Sequence, residues 1–214
     1  MGHSFYNRQM HNVYFQPEDP TWPPSHPARI VQQTAQKTLA GDQIPTNNLI
    51  SRIYHWQPLQ EFLAQLLDEP GLERLYPHAD PLACLNVMRM DAGDKLGWHY
   101  DRSDFATTLL LQAPEVGGEY WFVPFLRDAA QERLEELRQV LEGSHKRLRQ
   151  APLATGTLSF FSGRYSPHRV TEVLGPTPRV MAVLGYVRHP GVQFNGAERQ
   201  RFYGRSHVVG APSV

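Results

Sequence analysis

Two histidines and an aspartate are the residues of this chain best placed to do chemistry. In Gly97-Trp98-His99-Tyr100-Asp101 an imidazole and a carboxylate stand two positions apart. On an extended strand, positions i and i+2 project from one face, so His99 and Asp101 can present their side chains to one point. His168 lies far downstream in Ser166-Pro167-His168-Arg169-Val170, after a turn, and can supply a third donor from another strand. Two histidines and one carboxylate on one face of an octahedron leave three positions open. That donor set suits non-heme Fe(II) with a bidentate co-substrate and dioxygen. The same His-x-Asp spacing recurs as His78-Ala79-Asp80 between Pro77 and Pro81, where it reads as a surface turn.

Strands have to hold those side chains. Short apolar segments with strand periodicity fall at 84–90, 97–101, 105–112, 119–123, 157–161, 169–173 and 179–187, separated by turn clusters such as Asp91-Ala92-Gly93-Asp94. Their regular spacing predicts an antiparallel sandwich or jelly roll. Leu59, Phe62, Leu63, Leu66 and Leu67 recur with helical period behind Pro58 and stop at Pro70-Gly71, which predicts an amphipathic helix. Ala130, Leu134, Leu137 and Leu141 repeat that pattern within 127–150, a stretch rich in Glu, Arg and Gln, and predict a second helix inserted between strands. Five prolines between Pro17 and Pro27 predict an extended arm over 1–27, and its aromatics Tyr6, Tyr14, Phe15 and Trp22 suggest that it packs on the body. The expected organisation is a Pro-rich arm and helical support region over 1–80, a β core over 81–190 with a helical insertion at about 126–150, and a tail over 191–214.

At 214 residues the chain is long enough for one domain with a substantial core. Its 41% hydrophobic and 11% aromatic content is that of a folded protein. Lys and Arg number 21 and Asp and Glu number 21, so no cationic excess exists to draw a phosphate backbone, and nucleic acid is not an expected partner. No apolar run approaches the roughly 18 residues a bilayer span needs. Cys84 has no second cysteine to pair with, and the N-terminus lacks a signal-peptide pattern, so the expectation is a cytoplasmic protein.

Around the three candidate ligands the wider sequence resembles the Fe(II)/2-oxoglutarate-dependent dioxygenase superfamily. The pattern is His-x-Asp, a long interval, a second His, and then Arg179 eleven residues on, over roughly Pro81 to Arg188. The resemblance implies a mainly β fold with flanking helices, a cupin-like double-stranded β-helix. It also implies His99, Asp101 and His168 as iron ligands, with Arg179 pairing with the distal carboxylate of 2-oxoglutarate. A planar guanidinium suits that task because it binds a carboxylate bidentately and stays charged in a dry pocket. Many relatives carry a Tyr nine residues before the first His as a second 2-oxoglutarate contact; here that position is Met90, which leaves Asn86, Thr108 and Tyr186 as candidates. The run from Trp98 through Pro114, followed by Gly117-Gly118-Glu119-Tyr120 and Val123-Pro124, is similar to the branch containing the BesD-type halogenases of free amino acids and their hydroxylating relatives. Halogenases of that branch have Gly in place of the carboxylate ligand, which opens a site for chloride. Asp101 fills that place here, which implies hydroxylation of a small molecule, a free amino acid or related metabolite, with O2 as co-substrate and succinate and CO2 as co-products. The same iron site would also serve a protein or peptide residue hydroxylase, and a jelly roll could be a non-catalytic binding module. Arg188 and Asp104 are candidate substrate contacts.

Overall fold

The computed structural model describes residues 4–152 and 154–209. In chain order it contains β1 (Phe5–His11), β2 (Gln32–Leu39), α1 (Leu49–Tyr54), α2 (Gln57–Leu67), β3 (Tyr76–Pro77), β4 (Leu85–Met90), β5 (Leu96–His99), β6 (Ala106–Gln112) and β7 (Tyr120–Phe122). Then follow α3 (Leu134–Leu141), β8 (Arg149–Gln150), β9 (Leu158–Phe161), β10 (His168–Val170), β11 (Arg179–Leu184), β12 (Tyr186–Val187) and α4 (Gly196–Tyr203). One sheet has the order β1-β2-β4-β11-β6-β9, a second has β5-β10-β7-β8, and β12 pairs with β3. From β4 onward the chain passes back and forth between the two larger sheets, with β4, β6, β9 and β11 in one and β5, β7, β8 and β10 in the other. Antiparallel strands that alternate in this way wind two facing sheets into a double-stranded β-helix, the jelly roll.

Strand alternation decides what each face does. On β11, Arg179, Met181 and Val183 line a cavity between the sheets, while Ala182 and Leu184 turn to the outer face. There they meet Leu59, Leu63 and Ala64 of α2 together with Tyr54 and Leu85. Full burial of each such leucine contributes about 1.5–3 kcal/mol. Phe62 and Leu66 share the helical period but lie about half exposed, so the buried stripe of α2 is narrower than the apolar one. Outside the smaller sheet, Trp98, Tyr100 and Val123 pack with Val13, Leu137 and Val140, which anchors α3.

The helix expected across 127–150 is confined to Leu134–Leu141. Asp128 accepts the N–H groups of Ala130 and Gln131 in a turn, Gly143 closes the helix at φ +78°, and Arg149–Gln150 pair with β7 as β8. Three strands and two helices carry no expectation from the sequence, β1, β2, β3, α1 and α4, and β1 forms within the stretch expected to be an extended arm. β1 pairs with β2 along its whole length and ends in His11. The tail region holds α4, opened by a reciprocal cap between Asn195 and Glu198. No helix among the described residues is long and apolar enough to cross a membrane.

His11 makes the attachment of β1 sensitive to acid. Its Nδ1–H donates to the Asn12 carbonyl at 2.8 Å, and its Nε2 lies 2.7 Å from the Thr34 hydroxyl. Burial lowers its pKa from 6.5 to about 4. A depressed histidine contributes stability that is present above pH 6.5 and lost as pH falls toward 4. The thermal midpoint of the wild-type protein should therefore fall more between those pH values than that of His11→Gln; equal slopes would contradict the assignment.

Candidate metal centre

β5 and β10 lie side by side in the smaller sheet, and their register sets His168 directly opposite His99. The two ring centroids are 4.1 Å apart. β5 ends at His99, so Asp101 belongs to the turn that follows and not to the strand. It is nonetheless brought to the same point, with Oδ1 3.6 Å from Nε2 of His99 and 3.6 Å from Nε2 of His168. One donor atom from each residue falls within 4.8 Å of the other two.

Backbone carbonyls orient both rings. Nδ1 of His99 meets the Gly97 carbonyl at 2.8 Å, and Nδ1 of His168 meets the Ser166 carbonyl at 2.9 Å. A carbonyl only accepts, so each Nδ1 carries a proton and each Nε2 faces Asp101. Asp101 Oδ2 is buried and has no hydrogen-bond partner. Burial opposes the Asp101 charge, but the flanking imidazoles hold its carboxyl well below the usual range. Burial and the neighbouring imidazole lower His99; Asp101 raises His168 against its burial. Two imidazoles and a carboxylate converging in a dry place are a donor set that fits a divalent cation of the iron class.

The Asp101 carboxylate sits where a side chain on Gly163 would be. A Cβ at that glycine would come within 1.8 Å of Asp101 Oδ2, and the Gly163 carbonyl accepts the Asp101 N–H at 3.1 Å. Sequence reasoning did not single out Gly163, because the need for it arises only from this long-range approach.

Arg179, the first residue of β11, faces the same cavity, whose volume is about 330 Å3. Its side chain is buried, its Nε lacks a partner, and it forms no ion pair among the described residues. Burial lowers it to about 10, so it remains a cation at neutral pH. Tyr120 lines the cavity too; burial and the charge of Asp101 push its phenol well up, and it interacts favourably with Arg179. A buried cation without a counter-ion is costly, so this corner is built to receive an anion.

The other sequence candidates divide between this cavity and the rest of the fold. Met90 lies beside Arg179 in register and lines the cavity, as does Thr108. Asn86 instead donates to the Leu82 carbonyl and accepts the Tyr203 hydroxyl, and the Tyr186 hydroxyl donates to the Tyr54 carbonyl. Arg188 pairs with Asp104 at 3.0 Å and with Glu69 at 2.7 Å, away from the cavity lining. The expectation of a surface turn at His78-Ala79-Asp80 is corrected, because both ionisable residues are buried. Asp80 accepts from the N–H groups of Leu82, Ala83 and Phe194 and from Arg199 at 2.7 Å, so this copy ties the C-terminal region to the core.

Phe15 lines the cavity from the left-handed region at φ 53°, a conformation that costs a bulky residue about 1–3 kcal/mol. Its N–H bonds to the Asn12 carbonyl, its ring stacks on His11 and meets the edge of His99, and Arg201 donates to its carbonyl. The sequence marks Phe15 only as one of the arm aromatics expected to pack on the body.

The molecule is thus a double-stranded β-helix protein with a His-Asp-His cluster and a buried free arginine in one cavity. It belongs to the Halogenase D family, whose model matches residues 27–198. Among solved structures it is similar to AviO1 from Streptomyces viridochromogenes Tue57, at 14% identity over 83% of this chain and 77% of that one, with a TM-score of 0.51. It also matches an oxidoreductase of the 2OG-Fe(II) oxygenase family from Burkholderia pseudomallei (16% identity, 88% and 75% covered, TM-score 0.49). A third match is HygX from Streptomyces hygroscopicus with nickel and 2-oxoglutarate bound (13% identity, 93% and 82% covered, TM-score 0.48). At these identities the AviO1 likeness is one of fold. No curated protein matches the chain.

Proposed function

We propose that the chain is an Fe(II)- and 2-oxoglutarate-dependent dioxygenase that hydroxylates a small molecule, a free amino acid or related metabolite. The observation that carries this reading is the pairing, in one cavity, of three converging donors with a buried guanidinium that meets no acid among the described residues. His99, Asp101 and His168 would hold the iron, and Arg179 would hold the distal carboxylate of 2-oxoglutarate. The iron supplies the redox chemistry by which substrate C–H, O2 and 2-oxoglutarate become C–OH, succinate and CO2. The protein's own residues bind, orient and exclude water. The Gly97 and Ser166 carbonyls orient the imidazoles, Tyr120 and Arg179 would fix the anion, and the Phe15 ring beside His99 would help exclude water.

Two further features support the finer choices. Asp101 stands in the third ligand position, with Gly163 leaving room for its carboxylate, which favours hydroxylation over halide transfer within a family that takes its description from a halogenase. A cavity lined by Phe15, Phe194 and Phe202 favours a small molecule over a peptide strand. The test is 2-oxoglutarate-dependent succinate release across a panel of amino acids and metabolites in chloride buffer, with products weighed by mass spectrometry. Products heavier by one oxygen are expected. Chlorinated products would overturn the hydroxylase assignment, and no succinate release with any compound would count against the enzyme.

Arg179→Leu separates binding from chemistry. A charge-assisted pair is worth about 1.5–3 kcal/mol, so the 2-oxoglutarate requirement should rise roughly 10- to 150-fold. The unliganded variant should be no less stable than wild type, because a buried unpaired charge has gone. An unchanged 2-oxoglutarate dependence would place the carboxylate elsewhere.

A further inference from the structure

The wall of the cavity formed by β1 and β2 is unusual for an interior. Its inward positions carry Asn7 and Gln9 on β1 and Thr34 and Gln36 on β2, all lining the cavity. The register sets Asn7 opposite Gln36 and Gln9 opposite Thr34, so the four form a compact grid across two neighbouring strands. The Thr34 hydroxyl is engaged, accepting from the Gly97 N–H at 3.2 Å and bonding His11 at 2.7 Å. The three carboxamides are not. Gln36 is only 7% exposed, its Oε1 is buried without a partner, and no side-chain hydrogen bond of Asn7 or Gln9 ends on a described residue. A buried carboxamide oxygen left unpaired is costly, which singles out Gln36, and all three side chains line the cavity.

We infer that Asn7, Gln9 and Gln36 form a substrate-reading subsite for an uncharged hydrogen-bonding group, a carboxamide or hydroxyl, on the molecule to be oxidised. This rests on the dioxygenase reading above and names what its substrate carries. The chemistry of the wall sets the class. Gln36 Oε1 needs a donor, which an O–H or an amide N–H supplies, and a carboxamide can pair with another carboxamide through both donor and acceptor. The grid itself holds no acid to neutralise an ammonium and no arginine to neutralise a carboxylate. An apolar group placed against it would leave the three amides unsatisfied, which is how a polar site rejects an analogue lacking the matching group.

The test uses full-length protein loaded anaerobically with Fe(II) and 2-oxoglutarate, and calorimetric titration of four free amino acids: L-glutamine, L-serine, L-glutamate and L-norleucine. L-Glutamine or L-serine should bind at least about 10-fold more tightly than L-norleucine and L-glutamate. Gln36→Leu should reduce that preference by about 10-fold or more while the 2-oxoglutarate affinity stays at the wild-type value. Gln9→Leu, at a less buried position, gives the second reading should Gln36→Leu fail to fold. Preference for L-norleucine or L-glutamate, binding of none of the four, or discrimination unchanged in the variants would overturn the subsite. Those outcomes leave the dioxygenase reading standing if 2-oxoglutarate still binds; failure of the wild-type protein to bind Fe(II) and 2-oxoglutarate sinks both.

Discussion

His168→Ala is expected to lose Fe(II) binding and 2-oxoglutarate turnover together, to background, while the fold persists. The ring supplies one of three donors, sits opposite the second, and lies 3.6 Å from the third. Its removal opens the set and leaves the Ser166 carbonyl without its partner, a loss of about 1–3 kcal/mol. That is small beside the packing of the sheets on α2 and α3, which His168 does not join. Circular dichroism and the thermal midpoint of the metal-free protein should stay close to wild type. Calorimetric titration with Fe(II) should show no tight site. An active His168→Ala protein would refute the ligand assignment, and His99→Ala should behave in the same way.

Gly163→Ala is the second large effect, and it reaches the centre without touching a ligand. The added methyl would lie 1.8 Å from Asp101 Oδ2, a distance no pair of heavy atoms tolerates, so the carboxylate or the 162–163 backbone must move. The Asp101 N–H to Gly163 carbonyl bond resists separation of the two backbones, which leaves the carboxylate as the group to be displaced. Outer partners of metal ligands typically change affinity by about 10- to 100-fold, and a displaced ligand should reach at least the upper end of that range. The distinguishing readout is Fe(II) affinity at an unchanged 2-oxoglutarate affinity measured with the metal saturating. If Gly163→Ala binds Fe(II) as wild type does, the carboxylate is not held where the structure sets it.

The parts of the molecule that alternate apolar and polar residues were legible from sequence, and the cavity wall was not. β4, β6 and β11 bury apolar side chains on the face that packs on α2, and that pattern is visible before any folding. β1 and β2 carry Asn7, Gln9, Thr34 and Gln36 inward, so no hydrophobic period announces them, although they complete the larger sheet. α4 begins at an Asn195-x-x-Glu198 cap, a signal that was present but has almost no apolar stripe behind it. The end of α3 at Gly143 was likewise open to reading, since glycine there takes positive φ, but charge-rich sequence on both sides resembled one long solvated helix. At the centre, His-x-Asp spacing distinguished His99 and Asp101 only through their downstream context. The copy at His78 and Asp80 has the same spacing and spends its carboxylate on turn N–H groups and Arg199. Nothing local to Phe15 or Gly163 reveals that each approaches the histidine cluster, because those contacts cross the whole fold.

The visible spectrum of the protein mixed anaerobically with Fe(II) and 2-oxoglutarate tests the central claim most directly. A weak charge-transfer band that needs both components, disappears in His168→Ala and requires more 2-oxoglutarate in Arg179→Leu is the expected result. A wild-type protein that is folded yet gives no such band at saturating Fe(II) and 2-oxoglutarate would contradict it.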